Sequence, residues 1–212
     1  MVNKYNELLE DLRNAYDSKA LERNGLSIEP WKSQERERFL LEIKQKGTER
    51  LLEIGCGTGR DAKYFESKGL EVICVDLSAT NIALCRDKGL NAHVMDFFHL
   101  DFPPSSFDAV FALNCLLHVP VDSLSKALVI INKILKPTGL FYMGVYGGRN
   151  AEGVLSDDNY EPKRFFCTYT DTRIIQIVSE IFDLLYFRRM DIGRPVHFQS
   201  MIFRSRAEQV ND

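Results

Sequence analysis

The sequence predicts an α/β domain, a mostly parallel sheet with helices on both faces. Three observations predict it. From residue 50 onward, strand-like apolar runs alternate with segments of helical period. Several of those runs are almost continuously apolar, as strands covered on both faces are. The first run, Leu51-Leu52-Glu53-Ile54, ends in a turn with three glycines in five residues, Gly55-Cys56-Gly57-Thr58-Gly59, and a helical segment follows at once.

Each element has its own signal. Residues 1–46 read as two helices. Leu8, Leu9, Leu12 and Tyr16 recur at helical spacing in the first, and Phe39, Leu40 and Ile43 in the second, with Asn24-Gly25 and Pro30 between them. Strand 50–54 leads to helix 60–68, closed by Gly69. Strand 71–75 leads to helix 78–88, closed by Gly89. A short strand at 92–95 and a longer one at 107–113 follow. Helix 122–136 is expected to stop at Pro137, because proline disfavours helical geometry in the residue before it. Strand 140–146 comes next. Residues 147–168 show no period and read as a lid, a binding loop or a missed short element. Helix 171–181 carries Ile174, Ile175 and Val178 on one face. Strands 183–189 and 196–204, separated by Gly193-Arg194-Pro195, suit an antiparallel hairpin at the sheet edge.

With 212 residues the chain can core one domain, organised as a helical cap over 1–46 and a ligand-binding domain over 47–212. A formal net charge of −3 gives no general basic face, so a nucleic-acid partner is not expected. Five cysteines lie scattered without a C-x-x-C pair and no signal-peptide pattern is present, which together predict a reducing, cytoplasmic setting. No apolar stretch is long enough to span a bilayer, so no membrane association is expected. The histidines lack metal-ligand spacing, and no metal is expected.

The chemistry concentrates around the glycine turn. Glycine has no side chain and tolerates positive φ, so a large ligand can lie against bare backbone there. Glu53 precedes the turn and Asp76 ends the next strand. Acids at the ligand edge of such a sheet suit a cationic, hydroxyl-rich ligand better than a pyrophosphate. The dinucleotide fingerprint also fails in detail. The turn reads G-x-G-x-G, and Arg60 stands where the third glycine of G-x-G-x-x-G belongs. An NAD-linked oxidoreductase is therefore the weaker reading.

Five segments in order resemble the class I S-adenosylmethionine-dependent methyltransferases: Glu53–Gly59, Val75-Asp76-Leu77-Ser78, Met95-Asp96-Phe97, Phe107-Asp108-Ala109-Val110, and Leu135-Lys136-Pro137-Thr138-Gly139-Leu140. The resemblance runs from about residue 48 to 204. It implies a Rossmann-like three-layer sandwich with a seven-stranded, mostly parallel sheet of order 3-2-1-4-5-7-6 and an antiparallel last strand. It also implies S-adenosylmethionine as cofactor, in contact with Glu53, Gly55, Cys56, Gly57, Gly59, Asp76, Leu77, Asp96, Phe97 and Asn114. In that scheme Asp76 grips the ribose hydroxyls, Leu77 lines the adenine, Asp96 accepts from the adenine amine, and Asn114 sits below the sulfonium.

Methyl transfer from a sulfonium rests on alignment and needs a base only when the acceptor must lose a proton. His118 is the candidate base, against a packing or capping role. Tyr16, Trp31, Tyr146, Phe166, Arg149 and Arg164 are candidates for the acceptor, with the two arginines able to take an anion or simply to pair with Asp157, Asp158 or Glu161. Tyr16 and Trp31 would serve through a lid formed by the N-terminal helices, unless Trp31 only pins helices together. The expected function is methylation of a small molecule. Its alternatives are a protein or RNA methyltransferase and a module that binds the cofactor without catalysis.

Overall fold

A computed structural model describes residues 2–193 and 196–206. Two helices come first, α1 (Val2–Asn24) and α2 (Pro30–Gln45). The alternating part holds β1 (Arg50–Ile54), α3 (Arg60–Ser67), β2 (Glu71–Asp76), α4 (Ala79–Asp87), β3 (Asn91–Val94) and β4 (Phe107–Leu113). Then come α5 (Leu124–Ile134), β5 (Leu135–Gly147), β6 (Ala151–Val154), β7 (Phe165–Thr168), α6 (Asp171–Ser179), β8 (Phe182–Asp191) and β9 (His197–Ser205). Two single 3₁₀ turns, Leu116–His118 and Val121–Ser123, join β4 to α5.

The main sheet has seven strands in the order β3-β2-β1-β4-β5-β9-β8. Strands β1 to β5 pair in parallel, and β9 runs antiparallel to both β5 and β8. This is the expected order once the extra hairpin β6–β7, a separate two-stranded sheet, is counted. Side chains alternate across the sheet, as the strand period requires. Leu52, Ile54, Ile73 and Val75 pack toward α5 and α6, whereas Leu51, Val72 and Cys74 pack toward Phe39 and Ile43 of α2 and Phe65 of α3. Both faces are buried, which is why the strands read as unbroken apolar runs.

Two expectations change. The helix expected over 122–136 is a 3₁₀ turn followed by α5, and the chain is extended from Leu135. Proline 137 explains the stop, but pairing of Leu135 with Phe107 in β4 draws the strand in earlier than 140. Residues 147–168 contain the β6–β7 hairpin, whose first strand is mostly exposed and so shows no apolar alternation. The β8–β9 hairpin is present as expected, although Arg194 and Pro195 of its turn lie outside the described residues.

Helix α1 lies against α4 and the strand ends. Ala15 and Ala20 are fully buried and let it approach closely. Asp17 accepts hydrogen bonds from Ser78 Oγ and from Thr80 N–H at the start of α4, where the helix dipole favours an anion. Ser78 caps the same helix through Asn81 N–H. At the other end of α1, Lys88 bridges Asn24 and the Thr58 carbonyl, and Arg60 donates to the Leu26 carbonyl. The cap is thus fastened over the carboxyl ends of β1 and β2.

Candidate functional site

A cleft enclosing about 620 Å³ of empty space, mouth included, opens at those strand ends. Its floor is Ile54, Gly55 and Gly57 after β1, Asp76 and Leu77 after β2, Met95, Asp96 and Phe97 after β3, and Leu113 and Asn114 at β4. Its roof is Leu9, Leu12, Tyr16 and Arg23 of α1.

The glycine turn is shaped by contact on one side and openness on the other. Gly55, Gly57 and Gly59 all have positive φ. A Cβ on Gly55 would stand 2.3 Å from Cys115 Cβ, and one on Gly59 would meet Leu90 and the Cys85 thiol. A Cβ on Gly57 would meet nothing within 4 Å, and Gly57 lines the cleft. Two glycines therefore let neighbouring elements pack, and the third leaves the ligand side bare.

Asp76 ties the turn to the second strand. Its Oδ2 accepts from Gly57 N–H at 2.8 Å, and its Oδ1 from Ser78 N–H at 2.9 Å and Asn81 Nδ2 at 3.3 Å. Burial pushes its pKa up, against these hydrogen bonds. Each carboxylate oxygen can accept more than one bond, so the acid both braces the turn and can receive a diol. Asp96 is arranged similarly, accepting from Phe98 N–H at 2.7 Å and contacting His99 Nδ1 at 2.7 Å. Asn114 has φ 56 and donates its N–H to the Gly144 carbonyl; its Oδ1 is buried with no partner. An orphaned amide oxygen in the wall of a cleft needs a donor from whatever fills it.

Three of the residues expected at the cofactor, Glu53, Cys56 and Gly59, do not themselves line the cleft. Glu53 is 3% exposed and lies behind it; burial and the nearby Asp61 charge raise its pKa, and one of its oxygens has no partner. The Cys56 thiol turns away toward the Gly57 carbonyl and sits 3.8 Å from the Cys85 sulfur. Gly59 packs on Leu90. All three lie one layer beneath the cleft.

The acceptor candidates divide as well. Tyr16 Oη donates to His118 Nε2 at 2.8 Å, and His118 Nδ1 donates to the Phe165 carbonyl at 2.7 Å. A carbonyl can only accept, which fixes the proton on Nδ1 and leaves Nε2 to accept. Both ring nitrogens are engaged, and burial lowers the His118 pKa to about 3. In this arrangement His118 holds the cap tyrosine, with both ring nitrogens taken up by protein partners. Arg164 forms a two-pronged ion pair with Asp158, donates to Tyr16 Oη at 3.2 Å, and stacks 3.5 Å above the Tyr160 ring. Phe166 packs on the His118 ring. Trp31 and Tyr146, by contrast, gather on Phe198 of β9, and Arg149 is exposed; none of the three lines the cleft. Trp31 pins α2 to the sheet, an arrangement that helical spacing alone does not distinguish from a lid contact.

Leu9, Leu12, Arg23, Ile54, Asn81, Met95, Leu113 and Cys115 also line the cleft and are not among the site residues expected from the sequence. Arg23 and Asn81 reach it only through the docking of helices that the sequence leaves unplaced. Among the described residues no cluster of metal-binding side chains occurs.

Known proteins match this architecture. The family model described as a methyltransferase domain matches residues 52–143. The chain is 31% identical over 118 residues to the sterol 24-C-methyltransferase of Schizosaccharomyces pombe, covering 51% of this chain and 29% of that protein. It thus spans less than a third of that relative's length. Among solved structures, 1,6-didemethyltoxoflavin-N1-methyltransferase of Burkholderia thailandensis, with bound 1,6-didemethyltoxoflavin and S-adenosylhomocysteine, superimposes with a TM-score of 0.73 at 20% identity. That match covers 97% of this chain and 90% of the other. Phosphoethanolamine N-methyltransferase 2 of Haemonchus contortus, in complex with S-adenosylmethionine, gives 0.61 at 20% identity over 75% of this chain and 49% of that one. Residues 52–143 match a methyltransferase domain, and the strand order is that of the Rossmann-like α/β methyltransferase fold.

Proposed function

We propose that the chain transfers a methyl group from S-adenosylmethionine to a small-molecule acceptor. The observation that carries this reading is the cleft itself: a bare Gly57, two acids and an unpaired Asn114 oxygen converge at the carboxyl ends of β1 to β4. The donor, when bound, supplies an electrophilic methyl on a sulfonium. The chain's own residues bind and orient. Asp76 is suited to accept from ribose hydroxyls and Asp96 from the adenine amine, while Leu77 and Phe97 offer apolar surface for the base. Gly55 and Gly57 give the amino-acid part backbone to lie on.

Tyr16 and His118 close the other end, with Arg164 and Phe166 packed behind them. Their hydrogen bonds and ring contacts hold the roof down and engage both His118 nitrogens, so alignment and exclusion of water are the contributions this end makes. A small acceptor is supported by that enclosure, by the net charge of −3, and by a neighbour of the same architecture crystallised with a small molecule. No helix among the described residues is long and apolar enough to cross a membrane. Five unpaired, buried cysteines support a cytoplasmic setting as part of the same proposal.

Incubation with methyl-labelled S-adenosylmethionine and a fractionated cell extract tests it. Label in the small-molecule fraction is expected. Label confined to protein or RNA, or donor binding with no transfer to any fraction, would overturn it.

A further inference from the structure

The cleft contains a cation that makes no ion-pair contact with a described carboxylate, although its charge reaches Asp76. Arg23, at the last turn of α1, lines it together with Gly55, Gly57 and Asp76. Its Nη1 donates to Tyr160 Oη at 2.9 Å, and its guanidinium lies 5.3 Å from the Tyr16 ring centroid. It forms no ion pair with a described carboxylate, and its Nε and Nη2 have no described partner. Arg164, one side chain away on the same tyrosine, differs completely: Asp158 neutralises it through two hydrogen bonds. Arg23 is also the single side chain bearing a permanent positive charge among those lining the cleft.

We infer that Arg23 binds the α-carboxylate of the bound donor. The inference rests on the cofactor reading above and follows from charge matching. The donor has one anionic group, the carboxylate of its methionine part, and two cationic ones, the sulfonium and the ammonium. Asp76 and Asp96 serve hydroxyl and amine donors at the adenosine end. The carboxylate has no counter-charge in the cleft other than Arg23. A guanidinium with two nitrogens to spare presents donors in the planar geometry a carboxylate takes. Because Arg23 belongs to α1, donor binding also fastens the cap: the same ion pair that holds the ligand holds the roof.

Calorimetric titration of the whole chain with two ligands separates this role from a general effect on the fold. S-adenosylhomocysteine carries the carboxylate, and 5′-methylthioadenosine keeps the adenosyl thioether without the amino-acid part. Arg23→Gln is expected to weaken S-adenosylhomocysteine by about 10- to 100-fold, as loss of a charge-assisted pair does. It should leave methylthioadenosine within about 2-fold, and Arg23→Lys should recover part of the loss because the charge is kept. Equal weakening of both ligands by Arg23→Gln would assign the residue to cap packing alone and overturn the inference, as would no change for either. Should Arg23→Gln not fold, Arg23→Lys carries the test: a loss confined to S-adenosylhomocysteine supports the assignment, and unchanged or equally weakened binding of the two ligands removes it. Wild-type protein that binds neither ligand overturns the cofactor reading itself.

Discussion

The two ends of the cleft are built differently. At the donor end the fastening runs through main chain: Asp76 accepts from Gly57 N–H and Ser78 N–H, Asp96 from Phe98 N–H, and Asn114 donates its own N–H to Gly144. At the acceptor end side chains from distant parts of the chain meet: Tyr16 on His118, Arg164 on Tyr16, Asp158 on Arg164. A main-chain partner stays in place whichever side chain is replaced, whereas each bond of a side-chain network depends on both of its members. The end we assign to the donor therefore depends on two carboxylates set against fixed backbone, and the end we assign to the acceptor depends on side chains alone.

The largest expected effect breaks the donor end. Asp76→Ala removes a charged acceptor and leaves Gly57 N–H and Ser78 N–H without it; hydrogen bonds to charged groups contribute about 1.5–3 kcal/mol each. Affinity for S-adenosylhomocysteine should fall by roughly 100-fold or more, read by calorimetry on protein shown to be folded. Unaltered affinity would remove Asp76 from the site.

The glycine turn sharpens the comparison, because two neighbouring substitutions should fail for different reasons. Gly55→Ala places a Cβ 2.3 Å from Cys115 Cβ on a backbone of φ +67 and should cost about 2–3 kcal/mol of stability. Gly57→Ala has open space around it and should cost only about 1 kcal/mol, from its φ of +54. Its Cβ instead intrudes on the ligand, so donor affinity should drop while the thermal midpoint hardly moves. Identical behaviour of the two variants would contradict this division.

Tyr16→Phe addresses the acceptor end. It deletes the hydrogen bond to His118 and the acceptor for Arg164, worth about 1 kcal/mol. Donor affinity should stay within about 2-fold, and kcat/KM for the acceptor should fall about 10-fold; the reverse pattern would exchange the roles of the two ends. A smaller effect follows from His118. Its folded pKa is held near 3, below the ordinary value of 6.5. The unfolded chain thus takes up a proton that the folded one refuses, and stability present above pH 6.5 is lost as pH falls below it, by at most about 1.4 kcal/mol per unit. Denaturant titrations from pH 7 to 5 should show a shallower decline in His118→Phe than in wild type. Trp31→Phe, remote from the cleft, should change donor affinity least.

The same contrast explains what could be read in the sequence. The donor end is local: a strand, a turn and a helix start are contiguous, so the glycines and the strand-end acids Asp76 and Asp96 announce themselves in one pass. The sheet order comes only with the family resemblance that those segments carry. What local pattern does not carry is direction. Glu53 and Cys56 lie in the motif, yet point beneath it, and only the packing of α3 and α4 decides that. At the acceptor end Tyr16 and His118 are 102 residues apart, and Arg164 comes from a segment whose short hairpin is too exposed to show a period. Arg23 reads as an ordinary helix-end cation until α1 is docked.

The account stands on the cleft accepting an adenosyl sulfonium or its demethylated product. Titration of the wild-type chain with S-adenosylhomocysteine, with NADH in a parallel cell, tests that most directly. Saturable heat at one molecule per chain for the first and none for the second is the predicted result. Heat with NADH and none with S-adenosylhomocysteine would contradict it.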